Sequence, residues 1–173
     1  MKRKSKAVQV AYPAILSALA VVLVYLASIA PTGQWGLVAL GGLMPAAAVI
    51  SVGLKAGLLC WAGASILSLL LAPSKFYALL FTALFGLYPM VKSAAEKPRK
   101  RILEYVVKLV FFNAVFTALY LTMMGAMLAG LPPVLGDSLW ALYPAANIVF
   151  VLYDYGFSKL IAVYISRVQR AVH

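Results

Sequence analysis

Charged side chains inside apolar runs are where chemistry is sought first, because a charge in hydrocarbon persists only if something pairs with it or uses it. Three stand out here: Glu104, Lys108 and Asp154. Glu104 and Lys108 are four residues apart, on one helix face, and the spacing predicts an ion pair near the end of its helix. Asp154 lies deeper in the last apolar run. Lys159, five residues on, is poorly aligned with it. Asp154 is therefore expected to bond to a Tyr or Ser of another helix or to face an aqueous cavity, with structural pairing ahead of a role as a buried functional charge. A proton relay would need a second buried carboxylate, which is not evident.

A polar and aromatic set forms the second group. Trp140, Tyr143 and Asn147 stand at i, i+3 and i+7, on one face of a helix. Asn113 and Thr117 lie in the preceding apolar run, and Gln34 and Trp35 follow the first one. Aromatic plates beside an amide suit a flat, polar small molecule, so these seven residues are the candidate substrate-binding set. The alternative is structural. Trp and Tyr anchor helices at membrane interfaces, and Asn113 and Asn147 can satisfy each other between helices. Ala14 and Ala18 make a small-xxx-small pair in the first run. Such a pair either packs inside the protein's own bundle or forms a partner interface.

Other chemistries are excluded by counting. The chain has one Cys, Cys60, and one His, His173, its last residue. No intrachain disulfide, Cys metal cluster or internal His site can be built from these. No catalytic residues, metal site or cofactor are expected, and no Gly-x-x-x-x-Gly-Lys-Ser/Thr phosphate loop is present.

The elements that must position these residues follow from composition. The 173 residues are 65% hydrophobic and 11% charged, with a mean hydropathy of +0.98. Soluble domains carry about 25% charged residues, so this composition specifies an integral membrane protein. Six stretches are long and apolar enough to cross a bilayer: residues 12–30, 35–52, 56–72, 76–91, 102–128 and 138–166. They lack the alternation of barrel strands. The expected fold is all-α, a single six-helix transmembrane domain over 1–173. No internal repeat and no soluble domain is evident. Pro45, Pro89 and Pro144 fall within spans, and each can bend its helix. The first apolar stretch is longer than a signal-peptide core, and Pro31 would follow the cut, so it reads as a retained helix.

Fifteen Lys and Arg face four Asp and Glu. Lys2, Arg3, Lys4, Lys6, Lys55, Lys92, Lys97, Arg99, Lys100, Arg101, Arg167 and Arg170 all thread to one side of six spans, and Lys75 alone to the other. The positive-inside rule then puts both termini in the cytoplasm. The charge serves topology and anionic lipid contact. Dispersal of the basic residues among the spans argues against nucleic acid as a partner.

Six spans, cytoplasmic termini and Ala14-x-x-x-Ala18 on the first helix resemble the substrate-binding S components of energy-coupling-factor (ECF) transporters. Pro31-Thr32-Gly33, Leu43-Met44-Pro45-Ala46-Ala47-Ala48 and Gly53-Leu54-Lys55-Ala56-Gly57-Leu58 are similar to the early helices of that broad group. The resemblance implies a vitamin-like or other small metabolite captured from outside. It implies a coupling membrane subunit docked on the Ala14 and Ala18 face and two separate ATPases, in a bacterial or archaeal cell membrane. No vitamin-specific signature is present. The rival class is a non-transporting membrane scaffold, similar to the rod-shape-determining small membrane proteins, whose working surfaces are loops and helix exteriors.

Overall fold

The computed structural model describes residues 6–97, 101–128 and 139–172, with side chains over 7–97, 102–122 and 142–167. Trp140 falls in a described helix with its side chain outside that set. Several basic residues used for topology (Lys2, Arg3, Lys4, Arg99, Lys100, Arg170) lie outside it as well. The protein is all-α, and six helices are long and apolar enough to cross a membrane: Ala7–Ile29, Gln34–Ser51, Leu54–Leu71, Lys75–Ala95, Ile102–Thr122 and Leu142–Arg167. The first helix begins before the expected residue 12, because the apolar pattern continues back through Val10 and Val8 and Pro13 is accepted inside it. Two compact units divide the chain, Met1–Lys97 and Pro98–His173.

Unit 1 holds four spans. Helix α1 (Lys6–Ile29) and helix α4 (Leu54–Leu71) are continuous, and they pack together. Small residues meet there: Ser17 of α1 lies against Cys60 and Gly63 of α4, and Ala20 and Ala64 are buried on the same two helices. Lipid tails are as apolar as Leu, so association of helices in a bilayer depends on close van der Waals packing, which small residues permit. Ser17 Oγ donates to the Pro13 carbonyl at 2.9 Å and to the Cys60 carbonyl at 3.0 Å, sharing one hydrogen between its own helix and its neighbour.

The other two spans are interrupted. Span 2 consists of α2 (Gln34–Gly41) and α3 (Leu43–Ser51). At Gly42 the N–H is shared between the Val38 and Ala39 carbonyls, at 3.3 and 3.1 Å. Span 4 consists of α5 (Lys75–Leu80), a π-helical turn (Phe81–Phe85) and α6 (Tyr88–Ala95). The Gly86 N–H reaches back five residues to the Phe81 carbonyl, at 2.7 Å. Pro45 and Pro89 follow the two breaks and supply no N–H to the carbonyls of Gly41 and Phe85.

Both breaks carry the same motif, which corrects the expectation of no internal repeat. Ala39-Leu40-Gly41-Gly42-Leu43-Met44-Pro45 and Ala83-Leu84-Phe85-Gly86-Leu87-Tyr88-Pro89 share the pattern Ala-Leu-x-Gly-Leu-x-Pro. The turns leading into these spans also correspond: Ala30-Pro31-Thr32 and Ala72-Pro73-Ser74. More residues separate turn from motif in the second copy, and the wide π turn begins at the end of that longer stretch and runs into the motif. Unit 1 is thus two helical hairpins of one design, α1 with span 2 and α4 with span 4.

Turn chemistry joins the spans. Gly53, between α3 and α4, has φ 120° and ψ 174°, a conformation open to glycine alone. After α4, the Lys75 ammonium donates to the carbonyls of Leu69 at 2.8 Å, Ala72 at 3.1 Å and Leu70 at 3.4 Å. These are C-terminal carbonyls of α4, which carry the negative end of the helix dipole and lack intrahelical donors.

Unit 2 is a pair of long helices, α7 (Arg101–Leu128) and α8 (Leu139–Val172), packed along one seam. Lys108, Phe112, Phe116 and Leu119 of α7 are buried, as are Leu142, Phe150 and Phe157 of α8. These spacings, three and four on α7 and seven and eight on α8, keep the residues on one face of each helix. Large apolar residues away from it, such as Val110, Leu121, Val149 and Leu152, are exposed, as suits side chains that meet lipid.

Candidate functional site

The candidate polar residues of unit 2 line the α7–α8 seam in three layers. In the first, Tyr143 Oη and Thr117 Oγ1 are 2.9 Å apart. Thr117 Oγ1 donates its single hydrogen to the Asn113 carbonyl at 2.7 Å, so Tyr143 is the donor to Thr117. The Phe116 ring meets Tyr143 edge-on, with centroids 5.3 Å apart.

The second layer is a reciprocal amide pair. Asn113 Nδ2 donates to Asn147 Oδ1 at 2.9 Å, and Asn147 Nδ2 donates to Asn113 Oδ1 at 3.1 Å. Each amide nitrogen has a second hydrogen. That of Asn113 goes to the Leu109 carbonyl at 2.8 Å, and that of Asn147 to the Tyr143 carbonyl at 2.9 Å. All four amide hydrogens are thereby used, which is the full donor capacity of two Asn side chains. Below it, Phe112 and Phe150 stack with centroids 4.4 Å apart and planes 13° apart. The stack separates the amides from the charges.

The third layer is ionic. Lys108 is 2% exposed. Its ammonium lies 2.5 Å from Glu104 Oε1 and 3.2 Å from Asp154 Oδ2. The expected Glu104–Lys108 pair is present. The Asp154 carboxylate meets Lys108, a partner that the expectation of a Tyr, a Ser or water did not include. The pairing of α7 with α8 brings residues 46 positions apart into contact, which spacing along one helix cannot reveal. Ser158 Oγ donates to the Asp154 backbone carbonyl at 2.7 Å. Lys159 turns outward over the Tyr155 ring, 5.4 Å from its centroid.

Gln34 and Trp35 belong to unit 1. The Gln34 amide donates to the Ala30 carbonyl at 2.9 Å, satisfying the end of α1. Trp35 is half-exposed and meets Phe76 edge-on at 5.8 Å, and Phe76 meets Tyr77 at 5.2 Å. This is the aromatic grouping expected of a membrane interface. Ala14 and Ala18 are exposed, together with Ala7 and Ala11. Within unit 1 the buried residues of α1 are Pro13, Leu16, Ser17, Ala20, Val24 and Ala27. Among the described residues no group of His, Cys, Asp and Glu could hold a metal ion.

Sequence reading missed the Lys108–Asp154 contact, the Lys75 cap and the paired helix breaks. The last had a signal, the repeated Ala-Leu-x-Gly-Leu-x-Pro. The fold and the seam define a polytopic helical membrane protein with a polar helix–helix interface. No family model, curated protein or solved structure gives a match to the chain.

Proposed function

We propose that the chain is the substrate-capture subunit of an ECF-type importer in a bacterial or archaeal cell membrane. It takes a vitamin-like or other small metabolite and is energised by separate ATPases through a coupling membrane subunit. It has no catalysis of its own. The observation that carries this reading is the exposed Ala7, Ala11, Ala14 and Ala18 face of α1. A continuous helix with a small-residue face turned outward offers another membrane helix close backbone approach. On this reading both termini are cytoplasmic, and in unit 2 the ligand is read by Asn113, Thr117, Trp140, Tyr143 and Asn147. The Asn113–Asn147 pair is then the ligand-free arrangement, whose amides exchange each other for the ligand.

A mild-detergent pull-down from the native host, read by mass spectrometry, tests the assembly. Recovery of a coupling membrane protein with two ATPases, lost in the Ala14→Leu/Ala18→Leu variant, supports the reading. Recovery of the same set by the double variant removes the Ala face from it. One observation favours the scaffold alternative: the seam amides have no donor hydrogen to spare. Recovery of cell-wall or cytoskeletal proteins in place of ATPases would select that alternative.

A further inference from the structure

Helical Ser and Thr side chains of this protein follow one habit. Ser17, Ser28, Thr82, Thr117, Thr122 and Ser158 each donate to the main-chain carbonyl four residues back. That is a common way for a hydroxyl to be satisfied inside a helix. Ser65 and Ser68 of α4 depart from it. Ser65 is 5% exposed and Ser68 0%, and neither hydroxyl has a hydrogen-bond partner. The Trp61 and Ala64 carbonyls, four residues back from each, are not taken up by these side chains. Burying a hydroxyl without a partner is unfavourable, and hydrocarbon around the bundle offers it none. Two such hydroxyls, one turn apart, make a polar place inside an apolar unit.

Trp61, Ser65 and Ser68 stand at i, i+4 and i+7, on one face of α4. The Trp61 indole donates to the Thr82 carbonyl of span 4 at 2.9 Å, so this face turns toward span 4. Span 4 returns from the turn at 72–74, and the Trp61–Thr82 bond sets Ser65 level with Ala78 of α5. Ala78 is small and fully buried. The charges of unit 1 are committed elsewhere. Residues 1–97 contain one acidic residue, Glu96, at the far end of span 4 and 2.8 Å from Lys92. Lys75, at the near end, gives its ammonium to the α4 carbonyls. An ion beside the two serines would lack a counter-charge; a neutral group needs none.

Helix geometry sets the size of that group. Side chains three residues apart have Cβ atoms about 5–6 Å apart. A single oxygen bridges that distance with two hydrogen bonds of about 2.8 Å. We propose that Ser65 and Ser68 form a buried polar site of unit 1 that holds one neutral oxygen between them. A hydroxyl both donates and accepts. The oxygen therefore belongs to a resident water, the usual partner of buried polar groups, or to a hydroxyl or carbonyl of a small captured molecule. The second source rests on the capture reading; the site itself does not.

The full chain in mild detergent tests it, as parent, Ser65→Ala, Ser68→Ala and the double variant. X-ray radiolytic footprinting oxidises side chains beside a bound water even where bulk solvent is excluded. A resident water gives oxidation within 61–81 in the parent that is lost in the double variant. Native mass spectrometry of protein purified from its host reads the other source, as a small-molecule adduct on the parent that the double variant lacks. Either loss supports the site and tells the sources apart. Each single variant weakens the same signal, which keeps the test open if the double variant does not fold. Absence of both signals from the parent overturns the proposal, because the hydroxyls then hold nothing. Signals that survive in the folded double variant also overturn it, because the occupant then lies elsewhere. A footprint lost in the double variant, with no ATPase recovered in the pull-down, removes the capture reading and leaves the site as one for water.

Discussion

The ammonium of Lys108 on α7 lies 3.2 Å from the carboxylate of Asp154 on α8 while also holding Glu104 one turn away on its own helix. One buried cation therefore bridges two carboxylates and two helices. Such a group is retained only when its charge is matched, because removing one partner leaves the others desolvated and unmatched.

Lys108→Met leaves Glu104 and Asp154 without the ammonium between them, and it is expected to destabilise the α7–α8 pair by about 3 kcal/mol. Asp154→Asn keeps the Glu104–Lys108 pair and has a smaller effect. The triple change Lys108→Met, Glu104→Gln and Asp154→Asn recovers most of the loss. Unfolding equilibria in lipid-like micelles measure all three. A Lys108→Met variant as stable as the parent would remove the bridge as a stabilising element.

The amide layer gives a double-mutant cycle. Asn113→Leu or Asn147→Leu leaves the remaining amide without its partner, and the double Leu variant removes both amides. A coupling energy of about 0.6–1.7 kcal/mol is expected, the range found for hydrogen bonds between membrane helices. Additive single effects would show that the pair is geometric only. Ligand binding separates this from the capture reading: Asn147→Leu abolishes binding if the amide reads a ligand, and an unchanged dissociation constant places the site elsewhere.

Lys75 meets three carbonyls at the end of α4. Lys75→Ala is expected to destabilise by about 0.3–1 kcal/mol, the range for a cation at an exposed helix C-terminus. Hydrogen exchange at 68–73 should rise before exchange elsewhere in unit 1. A uniform rise would mean that the lysine contributes to the whole unit rather than to this helix end.

Glycine substitutions separate close approach from open space. Gly42→Ala brings a methyl against the Phe85 main-chain carbonyl, which cannot rotate away, and is expected to destabilise by about 1–3 kcal/mol. A Cβ on Gly36 meets nothing within 4 Å, so Gly36→Ala is expected to stay within about 0.5 kcal/mol of the parent. Equal effects would contradict the packing of span 2 on span 4.

The threading is tested by single cysteines at Ser74 and Ser93, which lie near opposite ends of span 4. A membrane-impermeant thiol reagent should reach them from opposite sides. Labelling from one side overturns the six-span order, and the side that reaches Ser93 tells whether the termini face the cytoplasm.

Much of the fold was legible because the bilayer reduces the problem to length and hydropathy. A run of about 20 apolar residues has few ways to satisfy its backbone in hydrocarbon other than as a helix. Composition and run length therefore determined the all-α class and the six spans. The i,i+4 rule determined the Glu104–Lys108 pair, and the one-face spacing of Tyr143 and Asn147 is met in the seam. Partnership between helices was decided only by tertiary structure. A helix periodicity says which residues share a face and is silent on which face of another helix they meet. That is why Asp154 found Lys108, why Asn113 and Asn147 took up each other's donors, and why Ala14 and Ala18 were left exposed while Ser17 and Ala20 were buried. The paired breaks lie between these cases. Their motif is written twice in the chain, but Gly42 acquires its meaning from the Phe85 carbonyl of another span, and only the packed structure brings that atom to it.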